Sequence, residues 1–289
     1  MGVHWYPGHM ARAKRILEEQ LKFVDVIVEV LDARIPASSR NPDLDKMIKG
    51  RPRILVLNKA DLAEKEETRA WLYHFRSGER DAVAIDSIRR EGANVLTRHL
   101  FRLADDKRAG TSGRFLLFRP VRVMVVGIPN VGKSSLINCL VRRAKTKTAA
   151  QPGVTRGPQW VRIQKDLELL DTPGLLWPKL TSPETGFHLA ITGAVSERVY
   201  DWVEIAVYLI RYFKEFQDGE LERQYELGSP VKQEHELLEE LANRWGFLQT
   251  GGIPDREKAA FRLLQEFRVG KLGRITLEKA PSSPTIERA

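Results

Sequence analysis

At 289 residues, with 42% hydrophobic and 29% charged side chains, the chain has room for two domains with a core each and the make-up of a soluble globular protein. No apolar run approaches the length that crosses a bilayer, residues 1–7 lack the pattern of a secretory or organellar leader, and the single cysteine, Cys139, excludes an internal disulfide. The expectation is a cytoplasmic protein without membrane contact, carrying Cys139 as a small buried side chain. The net charge of +9 is uneven: residues 1–180 hold 33 Lys and Arg against 20 Asp and Glu, residues 181–289 hold 14 against 18, and 256–289 are basic again with 8 against 4. Basic surfaces of this kind suit a polyanion, most simply RNA, although plain solvation also accounts for them.

In chain order, residues 11–23 place apolar side chains at helical spacing with Arg12, Lys14, Arg15 and Lys22 on the other face. Residues 26–31 and 53–57 read as buried strands, 64–75 as a helix, 82–85 as a strand and 93–103 as a helix. A polar linker is expected over 104–119, then a strand at 121–126, a helix at 134–141, and a hairpin of 159–163 with 167–170. This alternation predicts an α/β fold, an open, doubly wound, mostly parallel sheet over residues 1–178. From 179 to 289 the texture becomes helical, with helices expected at 187–195, 203–216, 234–245 and 255–267, an extended stretch at 274–277, and a disordered tail from about residue 280.

Three short motifs carry chemistry. Gly127-Ile128-Pro129-Asn130-Val131-Gly132-Lys133-Ser134 is a phosphate-binding loop in its required place between an apolar strand and a helix. Its glycines admit the phosphates close to the backbone, and the N–H groups of Val131 to Ser135 with the helix N-terminus supply positive potential. Lys133 neutralises the β- and γ-phosphates, and Ser134 is a Mg²⁺ ligand. Asn58-Lys59-Ala60-Asp61 selects the base: the Asp61 carboxylate accepts two hydrogen bonds from guanine, whereas adenine would leave it buried and unsatisfied. Asn58 is expected at the other edge of the base and the Lys59 stem over the ring, with Asp86-Ser87 as a further base-contacting loop. Asp171-Thr172-Pro173-Gly174 supplies a carboxylate on the Mg²⁺ side and, in Gly174, an N–H for the γ-phosphate. Residues 152–157 then fall where switch I belongs, with Thr155 as its Mg²⁺ ligand. Leu175, after Gly174, cannot orient an attacking water. His9 is the candidate for that task, and a cap on the helix beginning at Ala11 is its other reading. Asn130, beside the phosphates, is a candidate ligand for K⁺ at the place where an arginine finger's charge otherwise sits.

The order of these motifs is unusual. The guanine loop comes first, the phosphate loop second and switch II last, so switch II runs directly into the helical region. This order, behind the opening Trp5-Tyr6-Pro7-Gly8-His9-Met10, resembles the YlqF/RbgA family of circularly permuted GTPases; 189–194 and 270–274 are similar to its C-terminal helical domain. The resemblance implies a GTPase, binding GTP and GDP, that acts in late assembly of the large (50S) ribosomal subunit. It also implies rRNA and ribosomal-protein partners, a slow basal rate stimulated by the particle, a monomer off the ribosome, and a role for His9 in hydrolysis. Asp86-Ser87 departs from the Ser-Ala-Lys of other GTPases. A GTP-gated scaffold without turnover stands as the alternative.

Overall fold

The computed structural model describes residues 15–48, 50–78, 80–109, 119–144, 159–171, 182–217, 219–227 and 233–281. By their contacts these divide into two compact units, one holding 182–277 and the other the remainder, including 278–281. The unit outside 182–277 is built on a six-stranded sheet of β1 (Val26–Asp32), β2 (Arg53–Asn58), β3 (Asp81–Ile85), β4 (Val121–Val126), β5 (Gln159–Gln164) and β6 (Leu167–Asp171), in the order β3-β2-β1-β4-β6-β5. Every pairing is parallel except the β5–β6 hairpin. The β1 strand pairs in parallel with β4 on one side and β2 on the other, so strands from the two halves of this unit meet at the centre of the sheet.

The strands are apolar without alternation, and β1 is buried at all seven positions, as a parallel sheet covered on both faces requires. Residues 15–21 (helix α1) and α2 (Pro42–Ile48) bury Leu17, Leu21, Leu44 and Met47 against Ile27, Met124 and Leu170. Alongside, α3 (Lys65–Ser77) packs Trp71 and Phe75 on Leu31, Leu55 and Leu57. The helices α4 (Ala93–Ala109) and α5 (Lys133–Ala144) also contact the sheet and bury Leu96 and Leu100, and Leu136 and Leu140. Cys139 is buried on α5. Hydrophobic periodicity predicts neither α2 nor the last turns of α4. The first is too short to show a period and is set by its N-terminus, where the Asn41 side chain accepts from Asp43 N at 2.9 Å and Pro42 opens the first turn. The second lies in the first part of the polar stretch read as linker, and α4 continues into it to Ala109, where Ala, Lys and Arg are good helix formers and neither Gly nor Pro intervenes.

The second unit is helical: α6 (Pro183–Ile191), α7 (Trp202–Phe216), α8 (Glu220–Tyr225), α9 (Glu234–Arg244) and α10 (Arg256–Arg268). Central to it is α7, which buries Ile205, Leu209, Ile210 and Phe213 and packs against the other four. Caps set the boundaries. Ser182 accepts from Thr185 N ahead of Pro183, Asp201 from Val203 N and Glu204 N, and Asp255 from Lys258 N. Hence α6 starts earlier than the apolar run suggests. Arg268 ties the end of α10 to the end of α6 by donating to the carbonyls of Ala190 and Ile191. The stretch 274–277 is irregular rather than a strand; Ile275 and Leu277 are buried, and the Thr276 carbonyl accepts from the Tyr212 hydroxyl at 2.7 Å. Residues 278–281 lie with the sheet unit rather than with the helices, held there by hydrogen bonds of Glu278 and Ala280.

Candidate functional site

Parallel strands bring their C-terminal ends to one edge, where open α/β sheets bind ligands. Asp32 at the end of β1 stands in register with Asn58 at the end of β2, and Asn58 with Ile85 at the end of β3. The phosphate loop leaves β4 at the same edge, and β6 ends on Asp171 just past Leu170, the partner of Met124 in β4. The topology therefore gathers the guanine loop, Asp86-Ser87, the phosphate loop and Asp171 along one rim. His9, Thr155, Gly174 and Leu175 lie outside the described residues.

The phosphate loop is tight. A Cβ at Gly127 would come within 2.6 Å of the Val30 carbonyl of β1. At Gly132, where φ is +91°, a Cβ would stand 2.3 Å from the Asn58 amide nitrogen, so this position needs glycine both for its conformation and for the approach of the guanine loop. Lys133 reaches back to the Ile128 carbonyl at 2.7 Å, which puts its ammonium inside the curve of the loop. Ser134 and Ser135 open α5 and are exposed. GTPases generally use Mg²⁺ with the nucleotide phosphates, and the exposed Ser134 hydroxyl at this helix start is a hard oxygen donor of the kind that ion takes.

The guanine loop is bolted to the phosphate loop. The Asn58 amide donates to the Val131 carbonyl at 2.9 Å and accepts from the Ser87 hydroxyl at 2.6 Å, so the side chain braces three segments. Lys59, held at φ +60°, extends its ammonium to the Asn130 carbonyl at 2.6 Å and to the Asp32 carboxylate at 2.8 Å. With both ends fixed, its stem spans the gap between the two loops. Asn130 is itself left-handed, at φ +61°, with an exposed side chain. Ala60 N donates to the Ile85 carbonyl, and Asp61 is half-buried beside it. Asp86 turns its own loop, accepting from Ile88 N and Arg89 N at 2.8 and 2.9 Å.

Asp32 and Arg34 stand directly against the guanine loop, through Lys59, and motif reading passes over them. Both are about 1% exposed and form a two-pronged pair at 2.9 and 2.8 Å, while Asp32 N donates to the Ser39 hydroxyl. Burial by itself would raise the Asp32 carboxyl; the cations of Arg34 and Lys59 outweigh it and hold the group well below the usual carboxylate range. The signal in the sequence is an Asp closing a wholly apolar strand with an Arg two residues on, inside Leu31-Asp32-Ala33-Arg34.

In the helical unit, Trp202, Phe247 and Phe261 line an open groove of about 490 Å³ flanked by Lys258 and Arg262, the latter stacked over Trp245 at 4.3 Å. Among the described residues no helix is long and apolar enough to cross a membrane.

A strand–loop–helix phosphate cradle, joined by Asn58 and Lys59 to a base-selecting loop that precedes it in the chain, defines a circularly permuted P-loop GTPase. A family model described as 50S ribosome-binding GTPase matches residues 122–244, beginning at β4 and leaving out the guanine loop at 58–61. The ribosome biogenesis GTPase A of Bacillus licheniformis is 39% identical over 96% of this chain and 99% of its own. Mitochondrial ribosome-associated GTPase 1 of Bos taurus is 34% identical over 96% and 89%. The solved GNP-bound YlqF of T. maritima superposes with a TM-score of 0.66 at 28% identity, over 94% of this chain and all of that one. The chain belongs to the ribosome biogenesis GTPase A family, the YlqF/RbgA GTPases, and its activity is the hydrolysis of GTP in ribosome biogenesis. Turnover thus replaces the alternative of a scaffold without hydrolysis.

Proposed function

We propose that this GTPase binds a precursor of the large ribosomal subunit in its GTP form, in the cytoplasm, and hydrolyses GTP as a checkpoint on maturation. One observation carries the reading: β6 ends at Asp171, and the next described element is α6 of the helical unit, so the γ-phosphate sensor and the helical unit share one stretch of chain. GTP would order Thr155 and Gly174, and hydrolysis would release them, which biases the helical unit between two states. The basic sheet unit and the aromatic groove, with faces for stacking and cations beside them, suit the rRNA of the particle. The helical region from 179 to 277 forms the particle-binding domain, and the protein is a monomer off the ribosome.

In hydrolysis Lys133 neutralises the β- and γ-phosphates, Asp61 fixes the base, and Asn58, Ala60, Asp86 and Ser87 hold the base-side rim. Ser134, Thr155 and Asp171 would hold Mg²⁺, which supplies charge neutralisation at the phosphates. Asn130 would hold K⁺, and His9 would orient the water in place of the glutamine that Leu175 replaces. Phosphate release with and without 50S subunits tests the reading. Subunits raise the rate, GTP-bound protein co-sediments with them, added salt weakens that association, and His9→Ala lowers the stimulated rate more than GTP affinity. A rate indifferent to subunits would refute it.

A further inference from the structure

The last described residues form a strap on the guanine side of the site. Glu278 places its carboxylate on two successive backbone donors, accepting from Ala37 N at 2.6 Å and Ser38 N at 3.0 Å, across more than two hundred residues of chain. Its carbonyl accepts from the Trp71 indole at 2.8 Å, and Ala280 N donates to Glu67 at 3.2 Å while its methyl joins the cluster of Leu31, Trp71 and Phe75. The two surfaces so joined flank the guanine loop. The first is the turn after β1, whose next residue, Ser39, accepts from Asp32 N and so holds the backbone of the residue whose carboxylate accepts from Lys59. The second is α3, which begins four residues after Asp61 and carries Glu67 and Trp71.

We propose that Glu278 is a positioning residue for guanine-nucleotide binding. By clamping the 37–39 turn to α3 it keeps Asp32 and Lys59 set for the base before nucleotide arrives. A loop already ordered loses less freedom on binding, so releasing the clamp weakens binding. The route runs through the base side, common to GTP and GDP, and is separate from the γ-phosphate side that the switch segments read. Linkage makes the coupling reciprocal: nucleotide must tighten the strap as the strap tightens nucleotide.

The test uses the full chain with Glu278→Ala and Glu278→Gln. Strap docking is read from the Trp71 indole N–H resonance, assigned by its loss in Trp71→Phe, and dissociation constants come from fluorescent GTP and GDP analogues. In Glu278→Ala the indole resonance moves and both nucleotides bind about fivefold more weakly, by the same factor, within the range of coupling between linked sites. Glu278→Gln, which keeps the shape and one acceptor oxygen, gives a smaller loss of the same kind and serves if the alanine variant folds poorly. In the parent, GDP shifts the Trp71 resonance. An unmoved resonance in both variants shows that Glu278 does not hold the strap and overturns the proposal. So do a released strap with parental affinity, unequal losses for GTP and GDP, and a parental Trp71 resonance indifferent to GDP.

Discussion

Replacing Asp32 with alanine tests the electrostatic frame of the site most directly. The carboxylate is about 1% exposed, sits 2.8–2.9 Å from two Arg34 nitrogens and 2.8 Å from the Lys59 ammonium, and its removal leaves the Arg34 charge at a site equally dry. Breaking a buried pair from one side costs about 3–5 kcal/mol, a large part of the roughly 5–15 kcal/mol that a domain has. Because Asp32 titrates lower in the folded chain than its usual 3.8, its contribution is fully present above that pH and disappears as pH falls through the lowered value. The gap in stability between parent and Asp32→Ala should therefore be widest near neutrality and close in acid. Glu29, whose carboxyl is pushed up by burial against the pull of Arg53 and Arg40, has the opposite sign, but it is common to both proteins and cancels in the difference. Urea unfolding followed by tryptophan fluorescence, resolved into the transition of the sheet unit, measures the gap at each pH. Converting the pair to apolar residues, Asp32→Ala with Arg34→Met, should recover part of the loss, since the buried guanidinium that faced the carboxylate goes too. A single-variant loss under about 1 kcal/mol, no larger than a surface change produces, with no dependence on pH, would refute the reasoning.

Asp61→Asn should shift preference from GTP toward xanthosine triphosphate, because an amide donates to the 2-oxo group; competition binding that finds GTP held as tightly as before removes the base assignment. Lys133→Ala should lose most nucleotide affinity, its ammonium lying within the phosphate loop against the Ile128 carbonyl, and unchanged binding of a fluorescent GTP analogue would contradict this. Basal phosphate release should be faster in K⁺ than in matched Na⁺ buffer, and Asn130→Ala should erase the difference; equal parental rates dispose of the cation.

The sheet and its site edge were largely legible because the information there is local. An apolar strand followed at once by Asn58-Lys59-Ala60-Asp61 or by the phosphate loop declares strand, turn and chemistry within a dozen residues, and the β5–β6 hairpin ending at Asp171 does the same. What stayed hidden was made elsewhere. Asn58 reads as a base contact, yet its amide is engaged with Val131 and Ser87, partners more than twenty residues away that no spacing rule names. Asp32 looks like an ordinary strand end until Lys59 and Arg34 converge on it. Helices α2 and α8 are too short for a period of 3.6 to register, and α8 starts and stops on left-handed residues, Gly219 and Glu226. The seat of Glu278 on Ala37 and Ser38 is the extreme case, since Leu-Glu-Lys-Ala-Pro looks like tail and gains its meaning only from a turn at the opposite end of the chain.

That seat also says something about how the protein is made. After β6 the chain builds the helical unit, α6 to α10 among the described residues, and returns to the sheet unit at Glu278, so by connectivity the helical unit is an insertion and the GTPase unit is discontinuous. During synthesis the nucleotide-binding unit cannot close its own strap until every helix of the other unit has been translated. Contacts of such long sequence separation form late and slowly. A nascent chain with β1 to β6 already assembled would still lack the clamp beside its guanine loop, and the step that completes the enzyme would coincide with the arrival of its other half.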